Sequence, residues 1–131
     1  MVKKYKKNRN KLQELVVNYD TIIYINIQKS NIIITLTDLN GKIIDWVSSG
    51  CLGFTGFRKH SPLAARELSL ALLEKTEHFN KKNFILKVKG QNAIKKILLK
   101  YISQQNLNII KMQEISSVAF NGCKAQKRRK L

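Results

Sequence analysis

The sequence predicts an α/β fold, a mixed five-stranded sheet with helices packed on it and a basic arm at each end. Segments rich in β-branched residues alternate with two segments of helical periodicity in the order β-β-β-α-β-α-β. The 131 residues are 44% hydrophobic, enough for one domain with a real core. The net charge of +17 lies mainly at the two ends, which separates the arms from the folded part.

The basic charge lies mostly in residues 1–11 and 124–131, which hold eleven Lys and Arg residues and no acid. All eight carboxylates lie between these two segments. We therefore divide the chain into a basic N-terminal arm (1–19), a single α/β domain (20–118) and a basic C-terminal tail (119–131). Two basic arms on a nearly ordinary core favour a polyanion as the partner, and RNA is the commonest one.

The first third of the chain predicts an antiparallel meander. Residues 21–27 are β-branched and aromatic, which predicts a strand buried on both faces. Residues 32–38 and 42–48 predict the next two strands. Asn40-Gly41 between them predicts a type I′ turn, in which both central residues have positive φ. Before the sheet, the spacing of Leu12, Leu15 and Val16 predicts one or two helical turns.

A Gly-rich loop over residues 49–60 leads into the first helix. Ser61 suits the N-cap and Pro62 the first helical position, where its missing N–H costs nothing. The predicted helix covers residues 62–78. Its core face is the set Ala64, Ala65, Leu68, Ala71, Leu72 and Lys75.

The rest of the domain predicts a strand, a helix and a strand. Residues 83–89 form the strand, which ends at Gly90. The helix that follows has the clearest periodicity in the chain, carried by Ile94, Ile97, Leu98, Tyr101 and Ile102. Asn106 is expected to cap the C-terminus of this helix, and residues 107–115 to form the last strand.

Several functional classes fit the sequence poorly. No apolar run is long enough to span a membrane. Cys51 and Cys123 do not make a disulfide framework, and we expect each to be a small buried or half-buried thiol. Cys51 and His60 share a loop, but two ligands do not make a zinc site. A metal-dependent nuclease on a ribonuclease H-like sheet stays an alternative, and it requires Asp38, Asp45 and a third acid to converge.

The loop from Gly50 to Lys59 combines three glycines with Phe54, Phe57 and Arg58. Exposed backbone amides and a helix N-terminus can hold phosphates, and an aromatic ring can stack on an unpaired base. The phenylalanines can equally fold back onto the core. The loop alone does not decide between these interpretations.

The tail after Asn121-Gly122 is too charged to fold by itself, and Asn-Gly allows a sharp turn. We interpret the tail as an arm that becomes ordered along an RNA backbone. A free nucleic-acid-binding chaperone with adhesive tails is a second alternative.

Taken in order, these motifs resemble the eleventh small-subunit ribosomal protein family over residues 20–131. The similar segments are Lys29-Ser30-Asn31, Thr35-Leu36-Thr37-Asp38, Asp38-Leu39-Asn40-Gly41, Trp46, the stretch from Gly53 to Ala65, Val88-Lys89-Gly90 and Asn121-Gly122-Cys123 with the tail. The chain departs from the family at Thr55, Gln91-Asn92-Ala93 and Phe120. These departures suit a diverged organellar member.

The resemblance implies a structural protein of the small ribosomal subunit, with no enzymatic activity, cofactor or metal. It implies binding to small-subunit rRNA in the platform region, beside other ribosomal proteins and near the mRNA exit path, with no membrane contact. Ile, Lys and Asn, which have AT-rich codons, supply over a third of the chain, which favours an AT-rich genome such as an organellar or parasite genome. We expect a mitochondrial ribosome, with a plastid ribosome as the alternative. The RNA-binding residues implied are Lys29, Ser30, Asn31, Gly53, Phe54, Gly56, Phe57, Arg58, Lys59, Lys89, Asn121, Gly122, Lys124, Lys127, Arg128, Arg129 and Lys130.

Overall fold

A computed structural model describes residues 21–78, 83–90 and 93–130. The described elements follow the predicted order and are β1 (Thr21–Ile27), β2 (Ile32–Thr37), β3 (Ile43–Ser48), a 3-10 helix (Gly56–His60), α1 (Pro62–His78), β4 (Phe84–Lys89), α2 (Ala93–Ser103) and β5 (Ile109–Ile115). The predicted N-terminal arm, with its helical turns, lies outside the described residues. No helix in the described ranges is both long and apolar enough to cross a membrane.

The five strands form one mixed sheet in the order β3-β2-β1-β4-β5. β2 pairs antiparallel with both β1 and β3, whereas β4 pairs parallel with both β1 and β5. Therefore β1, β3, β4 and β5 all run in one direction, and β2 alone runs in the other. The carboxyl ends of four strands consequently meet at one end of the sheet, which we call the carboxyl end.

The core lies between one face of the sheet and the two helices. Strand residues such as Ile23, Ile25 and Leu86 pack there against Leu68 of α1 and Leu98 of α2, all at 3% exposure or less. Complete burial of such a side chain contributes about 1.5–3 kcal/mol. The crossovers from β3 to β4 and from β4 to β5 run in the same direction across the sheet, and both helices pack on one face and contact each other.

The prediction that β1 is buried on both faces is wrong for part of the strand. Tyr24 and Asn26 point away from the helices and are only half-buried. Both described helices cover the opposite face, so neither of them covers the outward-pointing residues of β1. The β-branched composition predicted the strand but did not show which of its faces the helices would cover.

The start of α1 is as predicted. The Ala64 amide donates to the Ser61 hydroxyl at 3.2 Å, and Pro62 occupies the first helical position. Ala64 and Ala65 have no exposed surface, so small side chains bring this end of the helix close to its neighbours. The helix is thereby held directly after the Gly-rich loop.

The β2–β3 hairpin does not contain the predicted type I′ turn. Gly41 has a φ of 81°, but Asn40 is not among the described non-glycine residues with positive φ. The Gly41 amide donates to the Asp38 carbonyl at 3.0 Å, and the Asp38 amide donates to the Lys42 carbonyl at 2.9 Å. This geometry is a three-residue loop in which a turn is followed by a glycine in the left-handed region. The extra residue is accommodated by a register shift beside Thr37.

The last strand is shorter than predicted. After α2, Asn106 has a φ of 52°, as expected of an asparagine that ends a helix. Leu107 packs against the core before β5 begins at Ile109. β5 is an edge strand with mostly exposed side chains, so it adds little to the core.

Candidate nucleic-acid interface

Every described segment for which the sequence predicts RNA contact lies at the carboxyl end of the sheet. Residues 28–31 follow β1, residues 49–61 follow β3, residues 89–90 end β4, and residues 116–130 follow β5. These segments contain nine Lys and Arg residues and no Asp or Glu. Segments that are distant in sequence therefore form one basic end of the molecule because four strands are parallel.

The turn after β1 is joined to the Gly-rich loop by a buried hydrogen-bond group. The Ser49 hydroxyl donates to Asn31 Oδ1 at 2.5 Å, and the Ile32 amide donates to the same oxygen at 3.0 Å. The Ser49 amide in turn donates to the Ile32 carbonyl at 3.0 Å. These bonds hold the exposed Lys29 and Ser30 in fixed relation to the Gly-rich loop. The Asn31 side-chain oxygen is thus engaged within the protein.

The first part of the Gly-rich loop is a compact turn rather than an open row of amides. The Leu52, Gly53 and Phe54 amides donate to the carbonyls of Ser48, Gly50 and Ser49 at 3.1–3.2 Å. Gly53 has a φ of 84°, which a side chain would strain. The amides of these three residues are therefore engaged within the turn and are not free to hold a phosphate.

The two phenylalanines of the loop behave differently. Phe54 is half-buried and folds back toward the protein, whereas Phe57, in the 3-10 helix, is 92% exposed. Beside Phe57, Arg58 is exposed and Lys59 is half-buried with its side chain passing next to Gly50. Phe57 and Arg58 are thus both exposed to solvent in the same short helix.

The tail leaves β5 at the same end of the sheet. Asn121 has a φ of 51°, which forms the bend predicted for Asn-Gly. Every described residue from Ser116 onward is exposed, including Phe120 at 95%. The cations of the tail are Lys124, Lys127, Arg128, Arg129 and Lys130.

Lys89 and Gly90 close the carboxyl end between β1 and the tail. Gly90 has a φ of 119°, and an added Cβ would lie 2.4 Å from the Ile27 carbonyl oxygen. Only glycine fits here, so the ends of β1 and β4 approach closely. This approach places the exposed Lys89 beside the turn that carries Lys29.

Of the three acids in the hairpin and the described strands, one lies away from the carboxyl end and two are paired with lysines. Asp38 lies in the hairpin at the opposite end of the sheet. Asp45 accepts a hydrogen bond from Lys75 at 2.5 Å, and this bond lowers the pKa of the Asp45 carboxyl. Glu114 pairs with Lys95. Within residues 21–78, 83–90 and 93–130, no three His, Cys, Asp or Glu side chains come together as a metal site.

Both cysteines are free and exposed, so the expectation of buried or half-buried thiols is wrong. Cys51 lies in the compact turn, where its amide donates to the Ser48 hydroxyl at 3.3 Å and its sulfur accepts from that hydroxyl at 3.3 Å. Cys123 lies in the exposed tail.

Comparison with known proteins identifies the family of the chain. The family model described as ribosomal protein S11 matches residues 21–130. The chain belongs to the ribosomal protein S11 family. This match covers the whole described fold, including all four segments at the carboxyl end, and confirms the resemblance found in the sequence.

Individual relatives come from plastids, mitochondria and bacteria. The chain is 34% identical over 131 residues to small ribosomal subunit protein uS11c of Cyanidium caldarium, with both chains covered completely. It is 36% identical over 110 residues to uS11m of Prototheca wickerhamii, covering 84% of this chain and 86% of that protein. It is 31% identical over 113 residues to uS11 of Treponema pallidum strain Nichols, covering 86% and 90%.

Sequence reasoning did not find the role of Ser49. Its side chain is fully buried and joins the Gly-rich loop to the turn after β1. Its partner Asn31 is eighteen positions away along the chain. No local sequence pattern predicts a hydrogen bond between residues so far apart in the chain. Only the pairing of β2 with β3 brings the two residues together.

Proposed function

We propose that the chain is a structural constituent of the small ribosomal subunit that binds small-subunit rRNA and has no enzymatic role. The single observation that carries the proposal is the basic carboxyl end, where Lys29, Arg58, Lys59 and Lys89 lie in the segments at the ends of β1, β3 and β4, and a tail with five further cations follows β5. The relatives named as small ribosomal subunit proteins support the same assignment. Family membership and the separated, paired acids both argue against the nuclease alternative.

In the proposed binding mechanism the tail, the loops and the sheet have different roles. The tail neutralises phosphates, and the release of counterions supplies much of the affinity. Arg58 and Lys29 contact phosphates from fixed loops, and Phe57 stacks on an unpaired base. The sheet and the Asn31–Ser49 bond hold the loops in one geometry, so that the protein recognises the shape of its RNA site.

We further propose a location in the platform region of the subunit, beside other ribosomal proteins and near the mRNA exit path. The organellar names among the relatives support an organellar ribosome. Within that class we propose the mitochondrial ribosome, on the divergence of the tail from the plastid-like pattern. A tagged chain should sediment with small ribosomal subunits from mitochondria. Sedimentation with plastid subunits would reassign the organelle but keep the function.

RNA binding is tested with a matched pair of lysines on either side of β2. Lys29 precedes β2 at the carboxyl end and Lys42 follows it in the hairpin, and both are exposed. Lys29→Ala and Arg58→Ala should each weaken binding to a small-subunit rRNA fragment and lower the salt slope by about 0.7–0.9. Lys42→Ala should leave both quantities unchanged. Equal effects of Lys29→Ala and Lys42→Ala would contradict a binding surface at the carboxyl end.

The chaperone alternative is tested by deleting the arms. A chain lacking residues 1–11 and 124–131 should keep residual binding that prefers the rRNA fragment over unrelated RNA. Arg58→Ala in that chain should weaken the residual binding further. Complete loss of binding on deletion of the arms would favour a free chaperone that binds through its tails alone.

A further inference from the structure

The sheet face opposite the helices, which we call the open face, presents two rows of side chains that are half-buried or exposed, apart from the buried Ser48. Strand register defines the rows, because residues paired across strands point to the same face. The buried Ile22 and Ile85 precede these rows at the amino end of the face. The first row is Trp46, Thr35, Tyr24, Lys87 and Gln113, and the second is Ser48, Ile33, Asn26, Lys89 and Ile115.

The charged residues of the described strands are sorted between the two faces. Lys87, Lys89 and Lys111 share the open face, as their register with β1 and β5 shows. Asp45 and Glu114 lie on the helix face, where each pairs with a lysine from a helix. The open face therefore carries three cations and no acid from these strands, which gives it charge complementary to a polyanion.

Aromatic rings accompany these cations. Trp46 is 52% exposed on the edge strand β3. Tyr24, in the same row, lies beneath Lys87, whose Nζ is 5.1 Å from the ring centroid and 3.2 Å from the hydroxyl. Two strand spacings separate Trp46 from Tyr24, about 10 Å, with the short Thr35 between them. The indole ring is thus exposed to a planar ligand, and the ammonium group of Lys87 is held over Tyr24 further along the same row.

We propose that this open face is a second RNA-binding surface that takes unpaired nucleotides, with a base stacked on Trp46 and phosphates near Lys87, Lys89 and Lys111. Exposed aromatics on a sheet bind bases of single strands, because each base offers a flat face. Lys89 belongs to both surfaces, so one RNA strand can pass from the carboxyl end onto the face. The proposal rests on the proposed RNA-binding function and extends it to a second surface and to unpaired RNA.

The sequence supplies a direct reporter for this surface. Trp46 is the only tryptophan of the chain, so its fluorescence reports this face alone. The full chain is titrated with a fluorescein-labelled ten-nucleotide polyuridine and, separately, with a labelled ten-base-pair RNA duplex. Fluorescein anisotropy reports binding anywhere on the protein, whereas tryptophan emission, followed with the unlabelled oligonucleotides, reports stacking. Polyuridine should quench Trp46 to saturation, and the duplex should bind with little quenching because its bases are already stacked.

Variants separate stacking from charge. Trp46→Ala should weaken polyuridine binding about tenfold, since one base–aromatic stack is lost, and Trp46→Phe should restore most of the affinity. Lys111→Gln should weaken polyuridine binding and lower its salt slope by about 0.7. Lys96→Gln, on the exposed surface of α2, is the matched control and should change neither quantity. Circular dichroism verifies that each variant is folded.

The two readouts keep this proposal distinct from the function on which it rests. Polyuridine binding seen by anisotropy but without quenching of Trp46 would overturn the second surface and retain RNA binding at the carboxyl end. The open face would then be assigned to a protein neighbour. Absence of binding by anisotropy would overturn both proposals. Equal quenching by the duplex, or full polyuridine affinity in Trp46→Ala, would also overturn base stacking on this face.

Discussion

Replacing Asn31 with alanine removes the oxygen that joins the turn after β1 to the Gly-rich loop. Asn31 Oδ1 accepts from the Ser49 hydroxyl and the Ile32 amide, and both donors belong to residues with no exposed surface. A buried donor left without its partner costs about 1–3 kcal/mol. The Ile32 amide keeps the Ser49 hydroxyl oxygen as an acceptor at 3.3 Å, so only one donor loses its acceptor. We expect Asn31→Ala to lower the free energy of unfolding by about 2 kcal/mol, measured by urea denaturation.

A double-mutant cycle tests the reason for this loss. Ser49→Ala removes the hydroxyl that donates to Asn31, and in that chain Asn31→Ala also removes the last acceptor of the buried Ile32 amide. We therefore expect Asn31→Ala to cost about 1–3 kcal/mol in the Ser49→Ala chain as well. A double variant as stable as Ser49→Ala alone would refute the reasoning, because it would mean that the Ile32 amide does not depend on either acceptor.

Asn31→Asp separates the stability of the loops from their charge. Aspartate keeps an acceptor oxygen for both donors, so it should destabilise the protein less than alanine does. It also places a negative charge among the nine cations of the carboxyl end, so it should weaken rRNA binding and reduce the salt slope. Strong destabilisation without an effect on binding would contradict the placement of Asn31 at the RNA-binding rim.

Three further predictions follow from individual contacts. Gly90→Ala should destabilise the fold by about 3 kcal/mol or more, because positive φ and a clash with the β1 backbone combine. Gly41 also has positive φ, but no atom lies near the position of an added Cβ, so Gly41→Ala should cost only about 1–2 kcal/mol. Equal losses of unfolding free energy for the two variants in urea denaturation would show that the clash at Gly90 adds nothing. The pKa of Asp45 is lowered in the folded state, so its stabilisation is present above its ordinary value of 3.8 and is lost as pH falls through the lower folded value. Asp45→Asn should therefore flatten the acid limb of the stability–pH profile, and an unchanged limb would refute the Asp45 assignment. Phe57→Ala should leave urea stability unchanged, because the ring is 92% exposed, but should weaken rRNA binding by about 1–3 kcal/mol, and a stability loss would show that the ring packs on the protein.

Much of the fold followed from local chemistry in the sequence. β-branched runs located β1 and β2, and the Ser61-Pro62 pair located the start of α1. The hairpin turn was misassigned because Asn-Gly fits two loop lengths, and the extra residue depends on pairing between β2 and β3. Local sequence patterns also could not predict which face of β1 is buried, because that depends on where both helices pack.

The candidate site was predicted in its parts but not in its arrangement. Cations, glycines and phenylalanines were visible in the sequence, and the family resemblance indicated which of them to choose. The sequence did not show that Phe54 turns inward while Phe57 turns outward, since both have the same local setting. Nor did it show that Ser49 joins two loops, because that contact requires the assembled sheet.

The hairpin between β2 and β3 offers a labelling site that is distant from the basic rim. Because β2 runs against its neighbours, the hairpin at residues 38–42 projects from the opposite end of the sheet, about 20 Å from the basic rim. An affinity tag or fluorophore inserted there would leave the proposed RNA contacts of the rim untouched. The hairpin is thus the place from which subunit assembly can be followed in real time, with a label that faces away from the rim.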